Sequence, residues 1–252
     1  VLLGPLEEAA ASLARYDTKM SGMMNSELFL APLRRQDAVT SSRMEGTIST
    51  IEELYRLEAE EDAGSTDPYR EARNDDVETY LYSRALRNAQ QALAEGAPLG
   101  EHLIRTAHQQ LLSFGRGARK RPGSYKVEQN YIGDERRGKI YYVPIAPEQL
   151  GPAMAELVRY INESTMRPLI RTAIAHVEFE ALHPFEDGNG RIGRMLITLM
   201  LWKLGVLHQP NFFVSGYFEA NKDEYIERMR AVSAIGDWTG WVVFFLKAMH
   251  AQ

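Results

Sequence analysis

The sequence of 252 residues contains no cysteine. A disulfide framework, a thiolate nucleophile and a zinc–thiolate site are therefore excluded, and the composition fits a reducing compartment, so we expect a cytoplasmic protein. Long hydrophobic runs are missing as well. The longest, Met195–Trp202, is far shorter than the roughly 18–20 apolar residues of a membrane-spanning helix, so no membrane association is predicted. The first residues lack the basic region of a signal peptide. Because the chain begins at Val1, we expect it to be part of a longer protein.

Positive charge is not in excess either. The sequence has 29 Lys and Arg against 34 Asp and Glu, which gives a formal net charge of −5. Proteins that bind duplex DNA are ordinarily basic, because phosphate contacts dominate their affinity. Nucleic acid is therefore disfavoured as a partner. Hydrophobic residues make up 44% and charged residues 25%, which is typical of a soluble globular chain that is long enough to bury a core.

The hydrophobic periodicity is mostly that of helices. Helices are predicted at about residues 5–19, 34–45, 50–62, 70–95, 100–113, 147–162, 167–183, 190–204, 219–234 and 238–250. Residues 125–132 and 139–143 are rich in aromatic and β-branched side chains and flank a Gly/Asp turn, which predicts a β-hairpin. The fold class is therefore all-α with one β-hairpin.

Two helix ends carry local signals. Gly46 suits the position after a helix C-terminus, because glycine adopts the left-handed conformation without a Cβ penalty. Ser49 or Thr50 can cap the next helix, with Glu52 or Glu53 completing a capping box.

The segment His183-Pro-Phe-Glu-Asp-Gly-Asn-Gly-Arg-Ile-Gly-Arg194 carries the strongest chemical signal. Pro184 disfavours helix at His183, so the preceding helix is predicted to end there. The run Gly188-Asn189-Gly190 takes positive φ at little cost. Such a turn at the start of a helix directs successive backbone N–H groups toward one point and forms an anion-binding nest.

Charged side chains surround this turn. Arg191 and Arg194 lie three residues apart on one helix face, where two cations in the first turn oppose the helix dipole. A bound anion removes that conflict, and arginine suits phosphate oxygens. Asp187 is a single carboxylate beside the nest, as in Mg²⁺ sites completed by substrate phosphates. His183 is the nearby base that works near neutral pH. The segment thus predicts a phosphate site, a metal carboxylate and a base.

Residues 183–194 resemble, at every specified position, the signature of the Fic (Fic/Doc) family, H-x-F-x-(D/E)-G-N-G-R-x-x-R. Residues 175–182 look like the helix that leads into this motif, the hairpin 125–143 like the family's target-binding flap, and residues 236–241 like its closing helix region. The resemblance implies the Fic fold, a helical bundle with one β-hairpin flap. It also implies an N-terminal helical region at 1–98 and a catalytic core at 99–252.

The resemblance further implies an enzyme that transfers AMP from ATP to a Ser, Thr or Tyr hydroxyl of a target protein and releases pyrophosphate. By that resemblance, His183 takes the hydroxyl proton and Asp187 holds Mg²⁺ on the phosphates. The remaining phosphate contacts are assigned to Gly188, Asn189 (backbone and side chain), Gly190, Arg191 toward the β-phosphate and Arg194 on the γ-phosphate. Arg191 and Arg194 together favour a triphosphate donor.

Other nucleotide and partner assignments rest on the same resemblance. Gly133 of the hairpin is expected to touch the nucleotide. Tyr225 lies in a stretch that resembles the adenine-pocket helix, which often carries a Tyr-Tyr pair, whereas Ile226 occupies the second position here. The target protein is expected to pair along the flap through main-chain groups. Self-modification and a homodimer are further expectations.

A second motif lies near the N-terminus. Residues 41–46 resemble the family's inhibitory helix, (S/T)-x-x-x-E-(G/N), with Ser41, Glu45 and Gly46 in place and the helix at about 34–46. The resemblance implies that Glu45 pairs with Arg194 and removes the γ-phosphate contact. Two alternatives stay open. Glu45 positions a water for removal of AMP from a target, or the chain is a non-catalytic nucleotide-binding interaction module.

Overall fold

The structure, a computed structural model, describes residues 1–22, 26–64, 69–134 and 138–251. Its helices are α1 (Leu3–Ser21), α2 (Ser26–Met44), α3 (Ile51–Asp62), α4 (Asn74–Ala94), α5 (Glu101–Leu111), α6 (Pro147–Glu163), α7 (Pro168–Leu182), α8 (Asn189–Lys203), α9 (Ser215–Ala220), α10 (Lys222–Ile235) and α11 (Trp238–Ala251). A short 3₁₀ helix, Gly115–Arg119, and the strands β1 (Ile132–Asp134) and β2 (Lys139–Tyr142) lie between α5 and α6. The predicted all-α class with one hairpin is confirmed. Within the described ranges, the helices fall short of the length and apolarity that crossing a membrane requires.

Two helical predictions differ from the structure. Helix α2 begins at Ser26 rather than near residue 34, and Pro32 lies inside it. The proline removes one backbone hydrogen bond, which the packing of the later turns of α2 offsets. The helix predicted at 219–234 is two helices, α9 and α10, which meet at Asn221.

The predicted helix ends are largely present. Helix α2 ends at Met44, and Gly46 follows with a φ of +85°. The hydroxyl of Thr50 accepts a hydrogen bond from the backbone N–H of Glu53 at 3.3 Å and caps α3. The Glu53 carboxylate instead pairs with Arg56, so only the Thr50 half of the predicted capping box forms.

Helix α8 lies between two hydrophobic clusters. Leu196 and Met200 face one cluster, which also contains residues of α2 to α6. Ile197 and Leu201 face the other, which is built largely from α1, α7 and α11. Burial on both sides explains why α8 is apolar nearly all round, and each fully buried side chain of this kind contributes about 1.5–3 kcal/mol. This packing fixes the N-terminus of α8, where the motif lies.

Helix α2 is part of the first cluster. Ala38 and Val39 are buried in it. On the same helix, buried Asp37 accepts a hydrogen bond of 2.8 Å from the hydroxyl of Tyr82 in α4. The N-terminal and C-terminal regions therefore share a continuous interior.

The hairpin is shorter than predicted. β1 and β2 are antiparallel, with Gly133 opposite Ile140 and an irregularity between Ile132 and Gly133. The predicted strand over 125–132 is wrong except at its last residue, because polar groups of that stretch bind the motif loop instead of a second strand. The turn residues 135–137 lie outside the described residues.

Candidate functional site

His183 ends helix α7, as the following proline predicts. Its backbone is left-handed, with φ +45° and ψ +61°, a conformation that costs a residue with a Cβ roughly 1–2 kcal/mol. Ring atom Nδ1 lies 3.4 Å from the carbonyl oxygen of Glu180, so Nδ1 carries the proton and Nε2 keeps its lone pair. Burial lowers the pKa of His183 to about 4. The imidazole is therefore neutral at pH 7, as a general base requires.

The N-terminus of α8 follows directly. Gly188 has a φ of +80°, and no side chain caps the helix, so its first N–H groups are left without intrahelical acceptors. The Asn189 side chain accepts a bond from the N–H of Phe185 and donates to its carbonyl, both at 2.8 Å. Because both polar atoms are engaged, the contact with a phosphate that we expect of Asn189 falls to its backbone.

Arg191 is buried without full compensation. It is 3% exposed, and its Nε and Nη1 have no hydrogen-bond partner in the described chain. Its Nη2 lies 3.4 Å from the carboxylate of Asp187, which also accepts a 2.6 Å bond from the Gly188 N–H. A buried cation with unsatisfied donors is costly, and an anion at this position would satisfy them.

Arg194 contacts the end of α2, as predicted. Its Nε donates to the Ser41 hydroxyl at 2.9 Å, and its Nη2 donates to the Ser41 carbonyl at 3.0 Å and to Glu45 at 2.7 Å. Burial alone would raise the pKa of Glu45, but the charge and hydrogen bond of Arg194 outweigh it and lower that pKa. A Cβ at Gly190 would collide with the Glu45 carboxylate. An ionised carboxylate thus lies against the first turn of α8.

A cavity of about 360 Å³ joins these elements to the hairpin and to α10, a size typical of small-molecule sites. Predicted site residues from four separate stretches line it: Glu45, Gly133, His183, Gly190, Arg194 and Tyr225. Its lining also includes the apolar side chains of Val177, Ile226 and Met229. The predicted phosphate residues Asp187, Gly188, Asn189 and Arg191 are not among the lining residues. The Ser41 hydroxyl is engaged by Arg194.

Tyr225 presents its ring rather than a free hydroxyl. Nδ1 of His176 lies 3.0 Å from the Gly193 carbonyl oxygen, so it donates the ring proton there. Nε2 of His176 then accepts from the Tyr225 hydroxyl at 2.8 Å. The tyrosine is thereby held at the cavity wall by α7 and α8.

His108 was not singled out from the sequence, yet it holds the motif loop. Its ring stacks on Phe185 with centroids 3.7 Å apart. The Gly123 N–H donates to Nδ1 at 2.9 Å, so Nε2 carries the proton and donates to the Asp187 carbonyl at 3.0 Å. Burial lowers the pKa of His108 to about 4. The only signal for His108 in the sequence is its position on the apolar face of the amphipathic helix α5.

Glu180 is a second residue that the motif did not indicate. It lines the cavity, and its buried Oε1 has no hydrogen-bond partner in the described chain. The carboxyl packs on Gly193, where a Cβ would collide with it. Burial raises the pKa of Glu180 to about 7, against the attraction of Arg194.

The central helix α8 thus begins without a side-chain cap, carries Arg191 and Arg194 in its first two turns and follows the neutral His183. This arrangement suits a phosphate group. The profile of the Fic/DOC family matches residues 98–201. That of the Fic/DOC family N-terminal region matches residues 3–95. The chain belongs to the Fic/DOC family.

Individual relatives agree with this membership. The chain is 38% identical over 86 residues to protein adenylyltransferase fic-1 of Caenorhabditis briggsae, an alignment that covers 33% of this chain and 16% of that protein. Its structure is similar to that of a Fic domain containing signaling protein from Bacteroides thetaiotaomicron, with a TM-score of 0.72 and 20% identity. The superposition covers 96% of this chain and 93% of that one. A Fic family protein from Desulfovibrio desulfuricans G20 matches with a TM-score of 0.70 and 22% identity, over 96% of this chain and 72% of that one. These structures show that the fold is the predicted Fic fold.

Proposed function

We propose that the protein is a protein adenylyltransferase, which transfers AMP from ATP to a Ser, Thr or Tyr hydroxyl of a target protein. One observation carries the proposal. His183, Gly190 in the first turn of the uncapped helix α8, and Arg194 line one cavity. A base and a polyphosphate site are thus within reach of one nucleotide. The matched relative of C. briggsae is named a protein adenylyltransferase, which supports the same activity.

The chemistry uses few groups. Nε2 of His183 takes the proton from the target hydroxyl as its oxygen attacks the α-phosphorus. The bond from the α-phosphorus to the bridging oxygen breaks, and pyrophosphate leaves with that electron pair. The N–H groups at Gly188–Gly190 stabilise negative charge on the phosphates, Arg191 binds toward the β-phosphate and Arg194 binds the γ-phosphate. Positioning and charge neutralisation are the main contributions of proteins to such transfers.

Asp187 fits the carboxylate of a Mg²⁺ site. It is 47% exposed, and its Oδ1 accepts from Gly188. Within the described ranges, no group of three or more His, Cys, Asp or Glu residues is placed to hold a metal. A single carboxylate completed by substrate phosphates is the usual arrangement for Mg²⁺. When bound there, Mg²⁺ neutralises phosphate charge, and Asp187 would hold it.

Glu45 restrains the enzyme in this proposal. Its carboxylate engages the Arg194 guanidinium that the γ-phosphate needs, and both residues line the cavity. ATP then binds in a productive pose only after Glu45 moves. Residues 1–98 act as the regulatory region and 99–252 as the catalytic core.

The target protein binds along the flap, residues 125–143, by adding an extended segment to the short hairpin. The same site can present a hydroxyl of the protein itself, which gives self-modification. We also expect a homodimer. Size-exclusion chromatography with light scattering tests the dimer, and mass spectrometry of ATP-treated protein tests self-modification.

Removal of AMP from a target is the second candidate function. The ionised Glu45 carboxylate lines the same cavity as His183, so it can hold a water against a bound AMP ester. The third reading, a non-catalytic nucleotide-binding module, would predict a degenerate motif. The intact His183 and Asp187 argue against it.

The test uses ATP labelled on the α-phosphate, with Mg²⁺, and three proteins. Glu45→Gly is expected to label itself or a protein of a cell lysate strongly, wild type weakly and His183→Ala not at all. If none labels a protein while all bind ATP, forward transfer is excluded. Release of AMP from a pre-adenylylated protein by wild type, but not by Glu45→Gly, would then establish the reverse reaction.

A further inference from the structure

Four consecutive carbonyl groups at the end of α7 receive hydrogen bonds from one short segment, residues 126–130. The Lys126 ammonium donates to the Leu182 carbonyl at 3.2 Å, and the Lys126 backbone N–H donates to that of Pro184 at 2.9 Å. The amide nitrogen of Asn130 donates to the carbonyls of His183 and Phe185, at 3.0 and 3.1 Å. The stretch that the sequence predicts as a strand therefore holds the motif loop through hydrogen bonds.

Lys126 is an unusual residue for this place. It is 3% exposed, and no carboxylate of the described chain lies within ion-pair distance of it. Its ammonium donates to the Asn130 amide oxygen at 2.7 Å as well as to Leu182. Burial without a counter-charge lowers the pKa of Lys126 to about 8. A buried lysine is costly, and the negative end of the α7 dipole compensates it only in part.

The backbone that these bonds hold is strained. Of the non-glycine residues that the structure describes, His183 and Arg121 have positive φ. A strained conformation of this kind persists only where the surroundings over-determine it. The hydrogen bonds to the carbonyls of Leu182 and Pro184 restrain the backbone on both sides of His183. They therefore also restrain the position of the His183 ring.

We propose that Lys126 and Asn130 are positioning residues for the base His183, and that they couple the flap to it. The proposal rests on the proposed function, because it assigns His183 the proton transfer. β1 begins at Ile132, directly downstream of Asn130, so a target segment that pairs with the flap orders the chain that holds His183. The clamp, defined as the bonds of Lys126 and Asn130 to residues 182–185, therefore makes base alignment depend on the flap.

The first test compares kinetic constants in the Glu45→Gly background. Asn130→Ala and Lys126→Met are each expected to lower kcat about tenfold or more, because misplacement of a base by about 1 Å costs that much. The KM for ATP should change less than about twofold, since the phosphate groups of α8 are untouched. Lys126→Arg keeps the charge and the donors and should recover most of the activity.

The pH profile separates positioning from loss of structure. The charged groups that act on His183 are Lys126, Glu45 from the end of α2 and Asp187 from the motif loop. Loss of the Lys126 cation favours the imidazolium, so the acidic limb of the kcat profile should move to higher pH in Lys126→Met. Asn130→Ala removes no charge and should lower kcat without moving that limb.

Arg105→Met is the matched control. Arg105 also donates from a cationic side chain to a backbone carbonyl, that of Gly123 at 2.7 Å, in the loop just before Lys126. It makes no bond to residues 182–185 and should leave kcat unchanged. Thermal unfolding checks that every variant is folded.

Unchanged kcat in both clamp variants, or an equal loss in Arg105→Met, would overturn the proposal. If the Glu45→Gly parent transfers no AMP, the proposed function fails while the clamp is still measurable. NMR titration of the His183 ring nitrogens then gives the answer. The proposal requires a higher ring pKa in Lys126→Met than in the parent, and an unchanged one refutes it.

Discussion

Glu45, which directly follows α2, and Arg194, in the second turn of α8, form a salt bridge of 2.7 Å. Arg194 is almost fully buried, whereas the Glu45 side chain is 38% exposed. The desolvation of Arg194 offsets much of the attraction, so breaking the pair and replacing it with another anion costs little. The Glu45 carboxylate can therefore be exchanged for another anion, such as a phosphate, on Arg194.

Glu45→Gln should therefore raise the affinity for ATP more than that for AMP. The variant removes the charge that competes with the γ-phosphate, and AMP has no γ-phosphate. We expect a gain of about tenfold for ATP, or ~1.4 kcal/mol, and a gain below about twofold for AMP. Isothermal titration calorimetry measures both. Glu219→Gln, which removes the surface partner of Arg43, is the control, and equal gains for the two nucleotides would disprove the competition.

The pH dependence of transfer should reflect the depressed pKa of His183, about 4. The neutral ring is the base, so activity rises with pH through that pKa and is complete by about pH 6. Between pH 6 and 8 the ring contributes no further change. Glu45 raises this pKa, so Glu45→Gly should move the acidic limb to lower pH. The measurement is the pH profile of kcat/KM at saturating Mg²⁺. A midpoint of its acidic limb near the ordinary histidine pKa would contradict the burial of the ring.

Glu180 should make the fold less stable as pH rises. Its folded pKa of about 7 lies above the ordinary value of 4.5, so the folded state binds the proton more tightly than the unfolded chain. Stability is then lost as the pH rises from about 4.5 through 7, by about 3 kcal/mol. Glu180→Gln should remove this loss, with a higher Tm than wild type at pH 8 and a similar one at pH 4.5. Glu156→Gln, on the surface of α6 beside Arg159, should show no such difference.

Asp187→Asn should increase the Mg²⁺ requirement of transfer. The variant keeps an acceptor for the Gly188 N–H but loses the charge that holds the cation, so we expect a fall of about tenfold or more at limiting Mg²⁺. Excess Mg²⁺ should restore part of the activity, and chelation should abolish it in both proteins. A Mg²⁺ titration of AMP transfer measures this. The same titration of Glu186→Gln, which neutralises the exposed neighbouring residue, should match wild type.

The motif was predictable because its geometry depends on near neighbours in sequence. Pro184 ends α7, Gly188 takes the positive φ and the spacing of Arg191 and Arg194 places them on one helix face. The contact between Glu45 and Arg194 joins positions far apart in the chain, and only the family resemblance indicated it.

The clamp could not be predicted in this way. Residues 125–132 contain the aromatic and β-branched side chains typical of a strand. Nothing local shows that Lys126 and Asn130 donate to carbonyls more than fifty positions away. The sequence likewise predicts a ligand contact for the Asn189 side chain, whereas its two hydrogen bonds to the Phe185 backbone satisfy it. Helix α2 starts at Ser26 although Pro32 lies within it, and the burial of Leu30, Ala38 and Val39 offsets the local cost of the proline.

Helix α2 carries Glu45 and is also part of the interior, through Ala38, Val39 and the bond from Tyr82 to Asp37. An inhibitor attached as a separate tail can be removed by a protease or withdrawn by a binding partner. If Glu45 restrains the enzyme as proposed, the helix that carries it cannot leave without exposing the hydrophobic cluster. Release would then act on the last turn of the helix or on the Glu45 side chain alone. Permanent activation in a natural population would accordingly arise by substitution at one codon rather than by truncation of the gene.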